Sequence, residues 1–290
     1  MTRYAIAGLA LFVLGVLVVG GWWQPHAPDR PERQPLLTQR PNPDLQLGAH
    51  RAASRYAPEN TLPAIEAAIE RGVAWVELDI RYTSDGVPVL LHDETVDRTT
   101  DATGLLASYS LAEVQQFDAG SWFSESYAGT PVPTLEQALE IMQGQACAYW
   151  DAKALPSKQA VDLFKKYGYA RGCLVIHVYD WFDLLHLFWP DAPLIRTASH
   201  PDQLAIMLSN QPWLAAIRVR PALLNEALVD KAHALGLSVF VRATKDGEDT
   251  LSVLDRVAAS GADVITLDNL DVFRQWQAAS STVVDPPERL

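Results

Sequence analysis

Between residues 45 and 276 short β-type runs alternate with amphipathic helical patterns, and that alternation leaves few folds open. The runs cover residues 45–50, 74–81, 146–152, 173–178, 194–198, 215–219, 237–242 and 263–268. Helical stripes lie between them. Leu62, Ile65 and Ile69 share one face, stopped by Gly72; Ala227, Val229 and residues 232–235 form another, stopped by Gly236. Eight β runs separated by helices predict an α/β domain, either a parallel (β/α)8 barrel or a doubly wound open sheet. Counting runs does not separate the two. One break in the repeat is informative: the turn signal Thr83-Ser84-Asp85-Gly86, then residues 87–91 and His92, predicts a β-hairpin at the C-terminal end of the second strand. A long stretch, residues 94–133, follows before the next helix. In a barrel, an insertion at that end builds the substrate mouth.

The chain ahead of this domain reads differently. Residues 5–23 are uncharged and apolar. At about 1.5 Å per residue they just span a hydrocarbon core of about 30 Å. Arg3 precedes them, and Trp22 and Trp23 follow where interfacial aromatics belong. No small-x-small cleavage site follows, so an uncleaved transmembrane signal anchor is expected over a cleaved signal peptide. The charge at Arg3 puts the N-terminus in the cytoplasm and the domain outside the cell membrane, in the periplasm or the extracellular space. Residues 24–44 form a Pro-rich linker and residues 277–290 a disordered polar tail. Cys147 and Cys173 sit in apolar runs without metal-site spacing. Two buried thiols are the plain expectation, and a disulfide between neighbouring strands is the alternative if the domain is exported. The formal net charge of −12 excludes a nucleic-acid binder built on a basic face. It leaves room for a small anionic substrate, because a metal ion inverts the local sign.

Chemistry-bearing residues gather at the ends of the runs. Glu77 and Asp79 alternate on one strand, so both face one side, while Val76, Leu78 and Ile80 face the other. Two carboxylates on an apolar strand repel each other and lose hydration; a hard divalent cation answers both problems. Salt-bridged surface acids are the rival reading. Asp151 and Lys153 repeat the spacing on the next run, as a third ligand and as a cation for a substrate anion or leaving oxygen, or else as a simple ion pair. Three carboxylates suit Mg2+ or Ca2+, not a Cys/His zinc cage. His50 ends the first run and His92 ends the hairpin, and two imidazoles make a base and acid pair near neutral pH. Arg51 offers a planar fork for a phosphate. Later runs end in His177, Arg196, Arg218, Arg220 and Arg242. Ion pairing in an acidic chain explains any one of them, whereas Arg242 with one or two others could bind a second anionic group of a substrate. Glu59 could hold Arg51 or stay solvated, and Asn60 or Thr61 could cap the helix that Pro63 begins. There is no Gly-rich phosphate loop, dinucleotide fingerprint or Ser nucleophile motif. The constellation points to metal-assisted cleavage of a phosphodiester.

These residues resemble the glycerophosphodiester phosphodiesterase family. The family's ordered motifs stand here as His50-Arg51-Ala52, Pro58-Glu59-Asn60-Thr61, Glu77-Leu78-Asp79, Thr83-Ser84-Asp85-Gly86 and His92-Asp93. Asp118 to Phe123, Pro133-Thr134-Leu135-Glu136 and Gly261 to Asp268 are similar to its insertion, next helix and last strand. The resemblance covers residues 45–276 and implies a (β/α)8 TIM barrel. It implies hydrolysis of glycerophosphodiesters to glycerol 3-phosphate and an alcohol with Mg2+ or Ca2+, with His50 and His92 as acid and base and Glu77 and Asp79 on the metal. Lipid headgroups are the related substrate class. Four departures stand out. Ala52 replaces a glycine, a small change if φ there is negative. Asp151 replaces a glutamate, as in sphingomyelinase D-type phospholipases, which makes a phospholipase D-type enzyme on lysolipids or sphingolipids the alternative function. Arg242-Ala243-Thr244-Lys245 replaces Trp-Thr-x-Asn, and Leu267-Asp268-Asn269-Leu270 replaces Thr-Asp-x-Pro. A catalytically inactive phosphodiester-binding barrel is a third reading, and the retained His50, Arg51, Glu77, Asp79 and His92 argue against it.

Overall fold

Eight strands in the computed structural model coincide with the eight β runs. They are β1 (Gln46–Ala49), β2 (Trp75–Tyr82), β4 (Cys147–Ala152), β5 (Leu174–Val178), β6 (Leu194–Thr197), β7 (Leu214–Val219), β8 (Ser238–Ala243) and β9 (Val264–Leu267). A short ninth strand, β3 (Pro88–Leu90), pairs antiparallel with β2, so the hairpin expected after Arg81 is present. All other pairings are parallel, and β1 pairs with both β9 and β2. The sheet therefore closes on itself. Closure decides between the two architectures: this is a (β/α)8 TIM barrel, not an open sheet. The structure describes residues 45–281 apart from 171, 180–183, 187–188, 199, 201, 204–213 and 246. The expected anchor and linker over residues 1–44 lie outside the described residues, and no helix among those described is long and apolar enough to cross a membrane.

The two-residue period of each strand sorts the core into two layers. Val76, Leu78 and Ile80 belong to the larger apolar cluster, shared with the helices over Leu62–Glu70, Leu135–Met142 and Lys158–Lys166. Trp75, Tyr149, Val175, Ile195, Ala216, Phe240 and Val264 form the separate inner cluster that fills the barrel. Phe240 meets Trp75 and Tyr149 edge-on, with centroids 5.2 and 5.9 Å away. Two residues further along each strand the inner layer turns polar: Glu77, Asp151, His177, Thr197, Arg218, Arg242 and Thr266. One alternation rule thus sets both the apolar plug and the ring of functional groups above it.

Residues 94–133 do not form a strand–helix unit. They fold over the β2–β3 hairpin around a small core of their own, with Val96, Leu106, Val114 and Val132 buried against Val89 and Leu91. At the C-terminus the helix Leu270–Ser281 runs five residues past the expected boundary at 276, with its N-terminal turn docked by buried Leu270 and Phe273. Residues 277–281, expected in the tail, are therefore helical, and residues 282–290 lie outside the described residues.

Two expectations about the first loop change. Ala52 has φ +63°, between Arg51 at +46° and Ala53 at +86°, so the condition of negative φ fails. A left-handed L-residue costs about 1–2 kcal/mol, and the loop keeps this shape because its surroundings over-determine it. The Arg51 N–H donates to Glu77 Oε2 at 2.7 Å, and the Asn60 N–H donates to the Arg51 carbonyl at 3.1 Å. Ala52 and Ala53 are fully buried. Neither Asn60 nor Thr61 caps the following helix through its side chain. The Thr61 hydroxyl turns back to the Pro58 carbonyl, and the Asn60 amide goes into the site.

Candidate active site

The register of the parallel strands sets Asp79 beside Asp151 and Asp151 beside His177. Glu77 lies one inward position below Asp79. One oxygen from each of Glu77, Asp79 and Asp151 falls within 4.8 Å of the others, and all three residues are buried. The expected acidic trio therefore exists as a cluster. Each of its members is positioned from outside. The Asn60 Nδ2 donates to Asp79 Oδ2 at 2.7 Å, and Asn60 Oδ1 accepts the Asp79 N–H at 3.1 Å. Buried Arg218 donates to Tyr149 Oη at 2.9 Å, to Thr197 Oγ1 and to His177 Nε2 at 3.1 Å. A guanidinium only donates, so His177 Nε2 accepts and its Nδ1–H is the atom facing Asp151 Oδ1 at 3.2 Å.

Lys153 joins the trio. Its Nζ lies 3.0 Å from Asp151 Oδ2 and 3.1 Å from both Asp79 Oδ1 and Tyr179 Oη. Burial opposes its charge, but Asp79, Asp151 and Glu77 outweigh that and raise its pKa. The geometry puts Lys153 among the carboxylates, so here the ion-pair reading of Asp151 and Lys153 is realised. Asp151 is likewise held well below the usual carboxylate range: burial works against it, and His177, Lys153 and Arg218 prevail. Asp79 goes the other way. Burial and the charge of Glu77 push it up to about 6. Its Oδ1 is within ion-pair distance of Lys153 yet has no hydrogen bond of acceptable geometry. Buried polar atoms nearly always have a partner. A buried oxygen without one, in an all-oxygen donor set of three carboxylates, fits a hard divalent cation.

The two histidines are built alike. His50 Nδ1 is 2.7 Å from Asp268 Oδ1, and His92 Nδ1 is 2.7 Å from Asp93 Oδ1. A carboxylate on Nδ1 fixes the ring and leaves Nε2 as the free nitrogen. In His50 that nitrogen meets Arg242 Nη2 at 2.7 Å, and Arg242 Nε donates to Thr244 Oγ1. His92 is close enough to Asp79 for its charge to lower that residue's pKa.

A chain of ion pairs ties His92 to Arg51. Asp93 accepts from Arg98 Nε at 2.6 Å; Arg98 also donates twice to Glu59; and Glu59 accepts from Arg51 Nη1 at 3.0 Å. The Arg98 hydrogen bond holds Asp93 down at about 2, and Arg98 is raised in turn. Glu59 is lowered: burial works against its charge, and Arg98 and Arg51 outweigh it. Of its two readings, the one that holds Arg51 is observed. Of the later bases, Arg220 pairs with Glu248 at 3.1 Å, while Arg196 alternates away from the inner face. Above His50 opens a cleft of about 370 Å3 lined by His50, Arg51, Ser54, Arg55, Thr244 and Asp268.

Sequence reasoning missed Asp268, Asn60, Asp93, Arg98 and Arg55 as site residues. Asp268 was discoverable, since it lies two residues beyond Thr266 on the last strand, next to His50 across the closure. Arg98 carries no local signal, because its partners are 5 and 39 residues away.

The sequence profile of the Glycerophosphoryl diester phosphodiesterase family matches residues 50–177, the stretch that holds His50, Glu77, Asp79, His92 and Asp151. Over these residues the chain matches that family. It is 38% identical over 140 residues to human glycerophosphodiester phosphodiesterase 1, covering 47% of this chain and 42% of that protein. It is 40% identical over 114 residues to a glycerophosphodiester phosphodiesterase of Bacillus subtilis (strain 168), covering 37% and 39%. The chain thus spans less than half the length of these curated relatives. The crystal structure of a glycerophosphodiester phosphodiesterase from Agrobacterium tumefaciens str. C58 superposes with a TM-score of 0.72 at 29% identity, over 80% of this chain and 100% of that one. An Oleispira antarctica phosphodiesterase in complex with the product sn-glycerol-3-phosphate superposes with a TM-score of 0.69 at 27% identity, over 81% and 96%.

Asp79 gives the site a pH signature. Its folded pKa lies above its ordinary 3.8, so in the metal-free protein its contribution to stability is present below about pH 4 and lost as pH rises through about 6. A cation on the trio displaces the proton and removes that loss. Added Mg2+ or Ca2+ should therefore raise the melting temperature more at about pH 7.5 than at about pH 5. An equal rise at both, or none, would contradict the trio as a cation site.

Proposed function

We propose that this chain hydrolyses glycerophosphodiesters to glycerol 3-phosphate and an alcohol, with His50 and His92 moving the protons. The observation that carries the reading is the matched pair of carboxylate-backed imidazoles, Asp268–His50 and Asp93–His92, flanking a buried carboxylate trio. Glu77, Asp79 and Asp151 would hold Mg2+ or Ca2+, which would supply positive charge against the phosphoryl oxygens when bound.

The roles of the residues follow from their contacts. Arg242 donates to His50 Nε2, so that nitrogen carries a lone pair and its Nδ1–H points at Asp268. His50 is therefore set to accept a proton from the attacking hydroxyl once Arg242 turns to the phosphate; that hydroxyl is either a water, which gives glycerol 3-phosphate directly, or the glycerol 2-hydroxyl, which gives a cyclic phosphodiester that a water then opens to glycerol 3-phosphate. His92, backed by Asp93, gives its proton to the leaving alkoxide. Arg51 and Arg242 bind the phosphate, and Lys153 balances the carboxylates. No observation favours the phospholipase D-type or the inactive-barrel reading over this one.

Replacing His50 or His92 with Asn should lower kcat on glycerophosphocholine or glycerophosphoinositol by about 10²–10⁴-fold without changing the circular dichroism spectrum. Full activity in either folded variant would sink the acid–base roles.

We also propose that the domain acts outside the cytoplasm, tethered to the cell membrane by residues 5–23. Cys147 and Cys173 are disulfide-bonded with Cα atoms 4.5 Å apart, which supports an oxidising compartment. Thiol labelling of the denatured, unreduced protein from cells should mark neither cysteine. Labelling of both would contradict export.

A further inference from the structure

The cleft above His50 holds a cation, Arg55, that has no ion pair among the described residues. Arg51 is paired with Glu59 at 3.0 Å, and Asp268 is spent on His50 at 2.7 Å. Arg242 lies against His50 and Thr244, from where it turns to the scissile phosphate. This redirects the expectation that Arg242 reads a second anion: its place is on the catalytic histidine. Arg55 lines the same cleft, is exposed, and has no hydrogen bond or ion pair at its guanidinium among the described residues. In a chain of net charge −12, Asp268 lines the same cleft, yet its carboxylate is turned to His50 and not to Arg55.

Its base is nonetheless fixed. The next residue, Tyr56, donates its N–H to the Ala53 carbonyl at 2.9 Å and its hydroxyl to Asn269 Oδ1 at 3.2 Å. The Arg71 guanidinium lies 3.8 Å over the Tyr56 ring. The Thr244 hydroxyl oxygen accepts from Arg242, so its own proton is free to donate into the cleft. A fixed backbone with a free guanidinium and a hydroxyl donor is a receptor for an anion.

We propose that Arg55 selects diesters whose alcohol half carries a second anionic group, such as a phosphomonoester. This rests on the phosphodiesterase reading above. The argument is one of charge: the scissile phosphate is met by Arg51 and Arg242, and the glycerol half has only hydroxyls. The anion that answers Arg55 therefore sits on the alcohol. The volume of about 370 Å3 accommodates a phosphorylated polyol beyond the scissile group.

The test compares glycerophosphoinositol with glycerophosphoinositol 4-phosphate, which differ by one phosphate. Binding is measured by calorimetry with Mg2+ on the full-length His92→Asn chain, where turnover is suppressed. The phosphorylated diester should bind about fivefold tighter, the value of one exposed ion pair. Arg55→Ala should bring the ratio of the two constants to about one, Arg55→Lys should retain most of it, and Arg55→Glu should reverse it. A ratio unchanged in Arg55→Ala, or a ratio of one in the parent, would overturn the proposal. So would a preference seen only between the matching lysophosphatidylinositols, because the anion would then be read only on a lipid. Turnover by the unmodified chain is followed in parallel: its absence would end the hydrolase reading, while the binding ratio still decides the role of Arg55.

Discussion

Glu77, Asp79 and Asp151 are buried within one another's reach at the top of the barrel plug, and the rest of the site answers that constraint. Three like charges taken out of water are costly unless each is paired or bonded. Asn60 and the Arg51 N–H supply hydrogen bonds, Lys153 supplies charge, and the relay from Arg218 through His177 fixes Asp151 from the neighbouring strand. What is left over is one oxygen of Asp79 without a well-directed hydrogen bond and a raised proton affinity on that carboxyl. Both are what a cation site looks like when its demand for positive charge is only partly met by protein groups.

The same constraint explains the unusual backbone of the first loop. The Arg51 N–H reaches Glu77 only because the chain turns through three left-handed residues, two of them alanines. The strain is carried where the acidic trio is organised, as is common at functional sites. A second network, from Arg51 through Glu59 and Arg98 to Asp93, links this loop to the inserted segment. It sets His92 from the insertion side while Asp268 sets His50 from the closing strand, so the two imidazoles depend on different parts of the fold.

Much of this was legible in the sequence. The strand–helix alternation gave all eight barrel strands, because each element announces itself through its own periodicity. The trio was readable because Glu77 and Asp79 are two apart on one strand, and the next strand repeats the pattern at Asp151 and Lys153. The contacts that tune the site were not readable. Asp268 is 218 residues from His50, and Arg242 is 192 residues from it; they meet only because the barrel closes. Asn60 read as a helix cap by local rules, and a tertiary demand from Asp79 took its amide instead. The plain expectation of two buried thiols fails, because the register sets Cys147 at the start of β4 beside Cys173 just ahead of β5 and the two are disulfide-bonded.

Arg242 is a departure from the family pattern that bears directly on the proposed chemistry. In place of the family's aromatic residue it puts a guanidinium against His50, and in the proposed reaction it would couple that imidazole to the arrival of a phosphate. The central claim is that this site cleaves the bond between the phosphate and the alcohol, and does so with a divalent cation on the trio. Phosphorus NMR of the full-length chain incubated with glycerophosphocholine measures this directly. The account predicts a growing glycerol 3-phosphate resonance with Mg2+ or Ca2+ present and none after chelation. A choline phosphate resonance, or turnover that persists through thorough chelation, would contradict it.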